Sequence, residues 1–437
     1  MCELKAGFAR VDITPPLGTT LAGYPRTRYA DGVLDPLTAS AVVFDNGEKR
    51  VVIMSVDHLG LNMSRTEVMR PEIAKAAETE ADAIHICCTH THLGPVTYVG
   101  ANEEYVAWMT KRLCDVAVLA VNDLAPVSMS YTRARVEDVA FVRRFRMKDG
   151  SCRTNPGPKN PDIDHPLGLP DEEASLLILK RENAKEIGIV NFQVHPDVIS
   201  GTKISADFPY FVRSTYEELI PNSHCMYING TQGDTNHIDV RLGKDDVIPR
   251  GGYKRSRYMG RKIALSLIAN YDMALPLEGT EIAYAQKYVT VTYNKGKPED
   301  YPAAKEIMDR FKEGGIEYAL PDVKGMLRTS LHAQARRIVS LKDEPDTREL
   351  VLSGIRVGDV AFAGFPGEPF TEMGRGVKKN SKYTLTIPSC ATNGYEAYFP
   401  TEDAYTEGGY ESRSSNFKAG VAELLIAEGT ALLESIR

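Results

Sequence analysis

The chain has no surplus of positive charge: 52 Lys and Arg stand against 59 Asp and Glu, for a net charge of -7. Binding a phosphate backbone needs a basic surface, so no nucleic-acid partner is expected. No run approaches the roughly 18 apolar residues of a bilayer-spanning helix. The opening residues, Met-Cys-Glu-Leu-Lys-Ala-Gly-Phe, lack the basic-then-apolar order of a secretory leader, so stable membrane insertion is not expected either. Cysteine is sparse. The seven residues at 2, 87, 88, 114, 152, 225 and 390 are odd in number and contain no CxxC, which argues against a disulfide framework and a cysteine zinc site. A reduced, cytoplasmic chain is the expectation. Internal repeats and flexible linkers are also missing.

What is present is an ordinary globular composition, 43% hydrophobic and 25% charged. At about 150 residues per domain the length of 437 suggests about three units. With no linker, the chain reads as a single domain over 1–437 with a helical excursion at 294–347. Apolar strand-like runs alternate with helical patterns, which predicts a mixed α/β core. Strands are predicted at 5–13, 39–45, 50–57, 83–89, 175–180, 186–194, 226–230, 281–292, 349–356, 359–364 and 383–388. Helices are predicted at 65–80, 103–122, 208–219, 258–271, 303–313 and 417–436. Asn46-Gly47 signals a hairpin, so the sheet should mix parallel and antiparallel pairs. Residues 148–171, with five prolines, read as a long loop bordering a site, and 241–257 as a solvated basic loop.

The chemistry concentrates at the ends of apolar runs. Residues 85–95 read His-Ile-Cys-Cys-Thr-His-Thr-His-Leu-Gly-Pro. In an extended backbone Ile84, Ile86, Cys88, His90 and His92 share one face, which turns from apolar to imidazole at the strand end. Two readings fit: a metal ligand beside a proton carrier, or two histidines satisfied by backbone carbonyls. His195 ends another apolar run. Asp234, Asn236 and His237 lie in a Gly-rich turn after a third, where they either face a site or stabilise the loop. Glu368, between Gly367 and Pro369, is either an oxygen ligand or a helix-start residue, and the local sequence favours the helix start. A Gly-rich loop carries tyrosines at 395, 398 and 410, which are poor core material and suit substrate contact. His90, His195, Glu368 and a tyrosine would make a nitrogen and oxygen set suited to Zn²⁺.

The segments Ala6-Gly-Phe-Ala-Arg-Val-Asp-Ile-Thr-Pro-Pro, Thr-His-Thr-His-Leu-Gly-Pro, Val194-His-Pro, Gly233-Asp, Pro366-Gly-Glu and the tyrosine loop, taken in this order, resemble the catalytic domain of the neutral (non-lysosomal) ceramidase family. The resemblance runs from near residue 6 to about residue 413. It implies zinc held by His90, His195, Glu368 and Tyr398, with His92 as catalytic histidine and Arg143 and Tyr410 stabilising the oxyanion. Asp234 and Asn236 are then expected to contact a small-molecule substrate. The implied activity is hydrolysis of the amide that joins a fatty acid to a sphingoid base.

Three features depart from that family. Asn236 stands where the family has serine, which makes it a hydrogen-bonding residue. No strand-rich immunoglobulin-like segment follows the last helix, and no apolar docking helix or leader is evident. The expectation is therefore a zinc-dependent amidohydrolase acting on a smaller, more soluble substrate than ceramide. Ester, lactone or glycosidic hydrolysis at the same centre, and a catalytically silent binding protein, are the alternatives.

Overall fold

The computed structural model describes residues 3–243, 247 and 249–437. Cys2 and part of the basic stretch, residues 244–246 and 248, lie outside the described residues. Most strands in the larger of the two main sheets are apolar on both faces, and such strands are stable only between two covering layers. Each fully buried large apolar side chain adds about 1.5–3 kcal/mol to that preference.

The larger sheet contains β1 (Lys5–Asp12), β2 (Thr38–Asp45), β3 (Arg50–Val56), β4 (Ile84–Cys88), β5 (Ala125–Arg135), β6 (Glu173–Arg181), β7 (Glu186–Phe192) and β8 (Ser223–Asn229). Their order is β8-β7-β6-β5-β1-β2-β3-β4, with Leu275–Leu277 alongside β5. The pairs β3/β4 and β7/β8 are parallel and the other neighbours antiparallel, as the Asn46-Gly47 turn between β2 and β3 requires. A second sheet, β9 (Ile282–Thr292), β10 (Thr347–Val357), β11 (Val360–Gly364) and β12 (Leu385–Ser389), runs in chain order, with β11/β12 parallel.

The helices are α1 (Met63–Ala77), α2 (Glu103–Asn122), α3 (Phe208–Leu219), α4 (Tyr253–Ile268), α5 (Tyr301–Ala319), α6 (Gly325–Ser340), α7 (Thr371–Asn380), α8 (Glu402–Glu407), α9 (Tyr410–Ser414) and α10 (Val421–Ser435). Successive residues of β2 serve different layers. Ala39, Ala41 and Val43 pack with Ile73 of α1 and Leu113 of α2, whereas Val42 and Phe44 pack with Ile355, Phe362 and Ile387 of the second sheet. Helices α3 and α4 cover β6–β8 through Val212 and Ile263, and α7 and α10 cover the outer face of the second sheet through Val377 and Leu425. The result is helix, sheet, sheet, helix.

Some elements escape the sequence pattern, among them the short helices α7, α8 and α9. Strand β5 reads APVSMSYTRAR, with Ser and Arg interrupting its apolar positions, and its pairing with β6 along nine residues supplies the order that its composition does not. The proline-rich 148–171 stretch is not one open loop, because Cys152–Thr154 and Ile163–Pro166 flank Arg144–Met147 in a three-stranded sheet.

Candidate metal centre

Strands β4 and β8 are opposite edges of the larger sheet in hydrogen-bonding order, yet their ends touch. Asn229 Nδ2 donates to the Thr89 carbonyl at 3.0 Å and Ser55 Oγ to the Tyr227 carbonyl at 2.5 Å. Only two residue pairs join β1 to β5, and sheet twist accumulated about that narrow junction lets the two halves fold toward each other. The chain following β4, β7 and β8 therefore converges on one place. Arg213 and Asp57, both buried, brace it from behind: the guanidinium donates to both carboxylate oxygens at 2.8 and 2.7 Å, and Asp57 also accepts from Thr89 just before His90.

Strand β4 ends at Cys88, and the expected alternation of faces ends with it. His90 has φ +73°, a left-handed conformation uncommon for a residue with a Cβ, so His90 and His92 are not successive positions on one extended face. The turn aims the His90 ring inward instead. His90 Nδ1 lies 2.7 Å from the Leu59 carbonyl and His195 Nδ1 lies 3.3 Å from the Gln232 carbonyl. A carbonyl only accepts, so each Nδ1 carries the proton and each Nε2 presents a lone pair.

Those lone pairs point at each other. His90 Nε2 and His195 Nε2 are 3.2 Å apart, and Glu368 Oε2 stands 3.3 and 3.4 Å from them. Three acceptors facing one another in a dry site repel unless a cation lies among them. A tetrahedral zinc shell with bonds near 2.0–2.1 Å has ligand-to-ligand edges of about 3.3–3.4 Å. The triangle fits that group without adjustment.

Glu368 reaches it through a two-residue parallel strand pair, Glu368–Pro369 beside Tyr398–Phe399, in which Glu368 is directly opposite Tyr398. The helix-start role that its sequence context favours falls to Asp234, whose Oδ1 accepts from Thr371 N at 2.8 Å and from Thr371 Oγ1 at 2.6 Å at the head of α7. Burial raises the Glu368 carboxyl, and the Arg143 guanidinium and the Tyr395 hydroxyl act against it. Burial also pushes His92 and His195 well below the ordinary imidazole range, which keeps them neutral.

His92 is 8% exposed, and among the described residues neither ring nitrogen has a hydrogen-bond partner. Its Nδ1 faces Asp197 Oδ1 at 3.8 Å, and Asp197 in turn accepts from the Tyr24 hydroxyl. His90, His92 and His195 could also form a three-histidine ligand set, their ligand atoms all within 4.8 Å of one another, whereas the Glu368 triangle is closed to 3.4 Å. The tighter set is the better match to a single ion. Gly23 backs the His92 ring at φ +98°, where a Cβ would lie 2.5 Å from Nδ1, so only glycine fits.

Arg143 donates to Glu411 at 2.7 Å, to the Gly233 carbonyl at 2.8 Å and to the Tyr398 hydroxyl at 3.0 Å. Burial pulls its pKa down, the surrounding Tyr398, Glu411 and Glu368 outweigh that, and the net shift is upward. Arg144 turns away to Glu407 and the Gly408 carbonyl. Tyr410 packs edge-on to Tyr398, their ring centroids 5.7 Å apart.

A cavity of about 250 Å³ opens over the cluster and is lined by His90, His92, Glu368, Tyr398 and Tyr410 among others. Asp234 and Asn236 do not line it. Asp234 is engaged with Thr371, and Asn236 bonds Asn155 at 2.9 Å. Tyr395 was not singled out as a ligand partner by its sequence, yet its hydroxyl donates to Glu368 Oε1 at 2.7 Å. Asn393 fixes that loop by bonding Ile86 N and the Ile84 carbonyl on the free edge of β4, both at 2.9 Å. The Asn-Gly-Tyr run carried a turn signal but none for this long-range pairing.

Fold and cluster together define a two-sheet α/β protein with a buried His, His and carboxylate cluster beneath a small polar cavity. The fold is that of neutral ceramidase: the crystal structure of neutral ceramidase from Pseudomonas aeruginosa superposes with a TM-score of 0.76 at 17% identity, covering 100% of this chain and 75% of that one. A ceramidase complexed with C2 gives a TM-score of 0.73 at 16% identity, over 100% and 76% of the two chains. No protein-family model and no curated protein matches the chain.

Proposed function

We propose that the protein is a zinc-dependent hydrolase that cleaves an N-acyl amide bond in a small-molecule substrate. The observation that carries this reading is the closed triangle of acceptor atoms on His90, His195 and Glu368, at 3.2, 3.3 and 3.4 Å. Its support from the fold is the likeness to neutral ceramidase. Tyr398, opposite Glu368 in the strand pair, is the fourth proposed ligand.

When bound there, Zn²⁺ lowers the pKa of water to about 7 and polarises a carbonyl. The two backbone carbonyls that fix the His90 and His195 tautomers keep both Nε2 atoms available as ligands, and Tyr395 holds Glu368 in line. His92, neutral and with two unengaged nitrogens, accepts the proton of the attacking water and returns it to the leaving amine. Arg143 holds the Tyr398 hydroxyl in place, and Tyr410, on the same cavity wall, is placed to donate to the oxyanion that develops on the carbonyl. Asp234 acts on this arrangement through α7, and Asn236 through the loop around Asn155.

The test is metal analysis of the purified protein combined with a hydrolysis panel of N-acyl amides of graded chain length and matched esters. One zinc per chain and amide cleavage that disappears on chelation and returns with Zn²⁺ are expected. A protein that binds no divalent metal sinks the proposal, and cleavage confined to the esters rejects the amide part.

A further inference from the structure

Helix α6 forms the cavity wall that completes the site away from the strand ends. Thr329, His332, Ala333 and Arg336 line the cavity, at spacings of i, i+3, i+4 and i+7, so they form one helical face. A different face, Ala335 and Ile338, packs on Ala304 of α5, and Arg337 ties the helix to the Ser415 carbonyl at 3.3 Å. The helix is thus anchored by its other sides, and the face it gives to the cavity is polar where a lipid chain would require an apolar one.

The charges on that lining are unequal in their partners. Glu368 belongs to the cluster, and Glu396 is engaged by Arg348 at 3.1 Å and by Met63 N at 3.1 Å. Arg336 is exposed to the cavity mouth and, among the described residues, has no hydrogen bond or ion pair. One turn away, His332 is 3% exposed, its ring packs on Phe311 with centroids 4.3 Å apart, and its Nε2 is buried without a partner among the described residues. Burial drops its pKa to about 4, so it is a neutral hydrogen-bonding group. The field of Arg336 reaches the cavity interior: at Tyr410, which burial and Glu368 push upward, Arg336 acts in the opposite direction.

We propose that Arg336, with His332 and Thr329, is an anion subsite, and that the substrate is a compact acyl compound whose carboxylate or phosphate this face of α6 receives while its scissile carbonyl meets the histidines. The proposal rests on the hydrolase reading for the position of the carbonyl. A guanidinium with free donors binds either oxyanion through paired N–H groups, and a buried unpartnered imidazole adds a further contact. A cavity of about 250 Å³ is below the usual range for drug-sized ligands, in keeping with a compact molecule.

The test compares matched pairs on the zinc-loaded protein: N-acetylglycine against N-acetylglycinamide, and N-acetylethanolamine phosphate against N-acetylethanolamine. The charged member of at least one pair is expected to be preferred by about tenfold or more in kcat/KM. Arg336→Gln should collapse that ratio toward one with zinc content unchanged, and Arg336→Lys should restore part of it. The pair that shows the preference separates a carboxylate from a phosphate. A wild-type ratio near one in both pairs, or a ratio that Arg336→Gln leaves intact, overturns the subsite. Calorimetric binding of the same compounds separates the two proposals. Charge preference that depends on Arg336 without any turnover keeps the subsite and rejects the N-acyl hydrolase, whereas turnover without that preference does the reverse.

Discussion

The Tyr395 hydroxyl donates to Glu368 Oε1 at 2.7 Å while Oε2 of the same carboxylate faces both His90 and His195. One oxygen is held by Tyr395, and the other, with only a long contact from Gln232 Nε2 at 3.5 Å, faces the two imidazoles. Replacing Tyr395 with Phe frees the carboxylate to rotate and removes a partner that ligating carboxylates ordinarily keep, so zinc affinity should fall about 10- to 100-fold. Chelator competition measures it. Unchanged affinity would mean that Glu368 is oriented by its strand alone.

His90 and His92 have different environments despite their spacing, one ring fixed by the Leu59 carbonyl and the other without hydrogen-bond partners. His90→Ala should lose both zinc and turnover. His92→Ala should retain zinc, read by metal analysis, and lose about 10²- to 10⁴-fold in kcat. Equal loss of zinc in both variants would favour the three-histidine ligand set and falsify the role given to His92.

Gly23 is a structural support for that ring. In Gly23→Ala the new Cβ would lie 2.5 Å from His92 Nδ1, at a backbone φ of +98°. The ring must shift, and a displacement of about 1 Å in a reacting group costs about 100-fold in rate. Turnover should drop on that scale with zinc retained, and a lowered melting temperature should report backbone strain of about 1–3 kcal/mol. Wild-type kinetics in this variant would show that His92 needs no fixed position.

The Asp57–Arg213 pair carries stability. Asp57 is 0% exposed and takes both guanidinium donors. Arg213→Met strands a buried carboxylate and should cost about 3–5 kcal/mol, whereas adding Asp57→Asn in the same chain should recover part of the loss. Chemical denaturation of the wild type and the two variants measures both. If the double variant is no better than Arg213→Met, the charge is not the source of the loss.

Much of the layer structure is legible along the chain because it depends on local periodicity. The apolar runs that mark β1 to β4 and β6 to β12, and the helical spacing over 103–122 and 208–219, persist in the fold with ends shifted by only a few residues. Strand β5 is hidden because its order comes from its neighbours β6 and Leu275–Leu277, which lie far off in sequence. Of the candidate site, His90, His92, His195 and Glu368 stood out as residue types at the ends of apolar runs, and Arg143 and the roles of Tyr398 and Tyr410 came from the family resemblance. His90, His92, His195, Glu368, Arg143, Tyr398 and Tyr410 all come together, although their meeting depends on two sheet edges touching.

By itself, then, the sequence determined the mixed α/β core and a supply of nitrogen and oxygen donors at run ends, since hydrophobic period and donor chemistry are properties of short segments. Tertiary structure alone decided that His90 leaves the extended face at φ +73°, that Asp234 rather than Glu368 heads α7, that Tyr395 secures the carboxylate, and that α6 closes the cavity with Arg336. Each of these is a contact between segments that no local pattern encodes. The distance between His90 and His195 is set by how two halves of one sheet fold together, 105 residues apart in the chain.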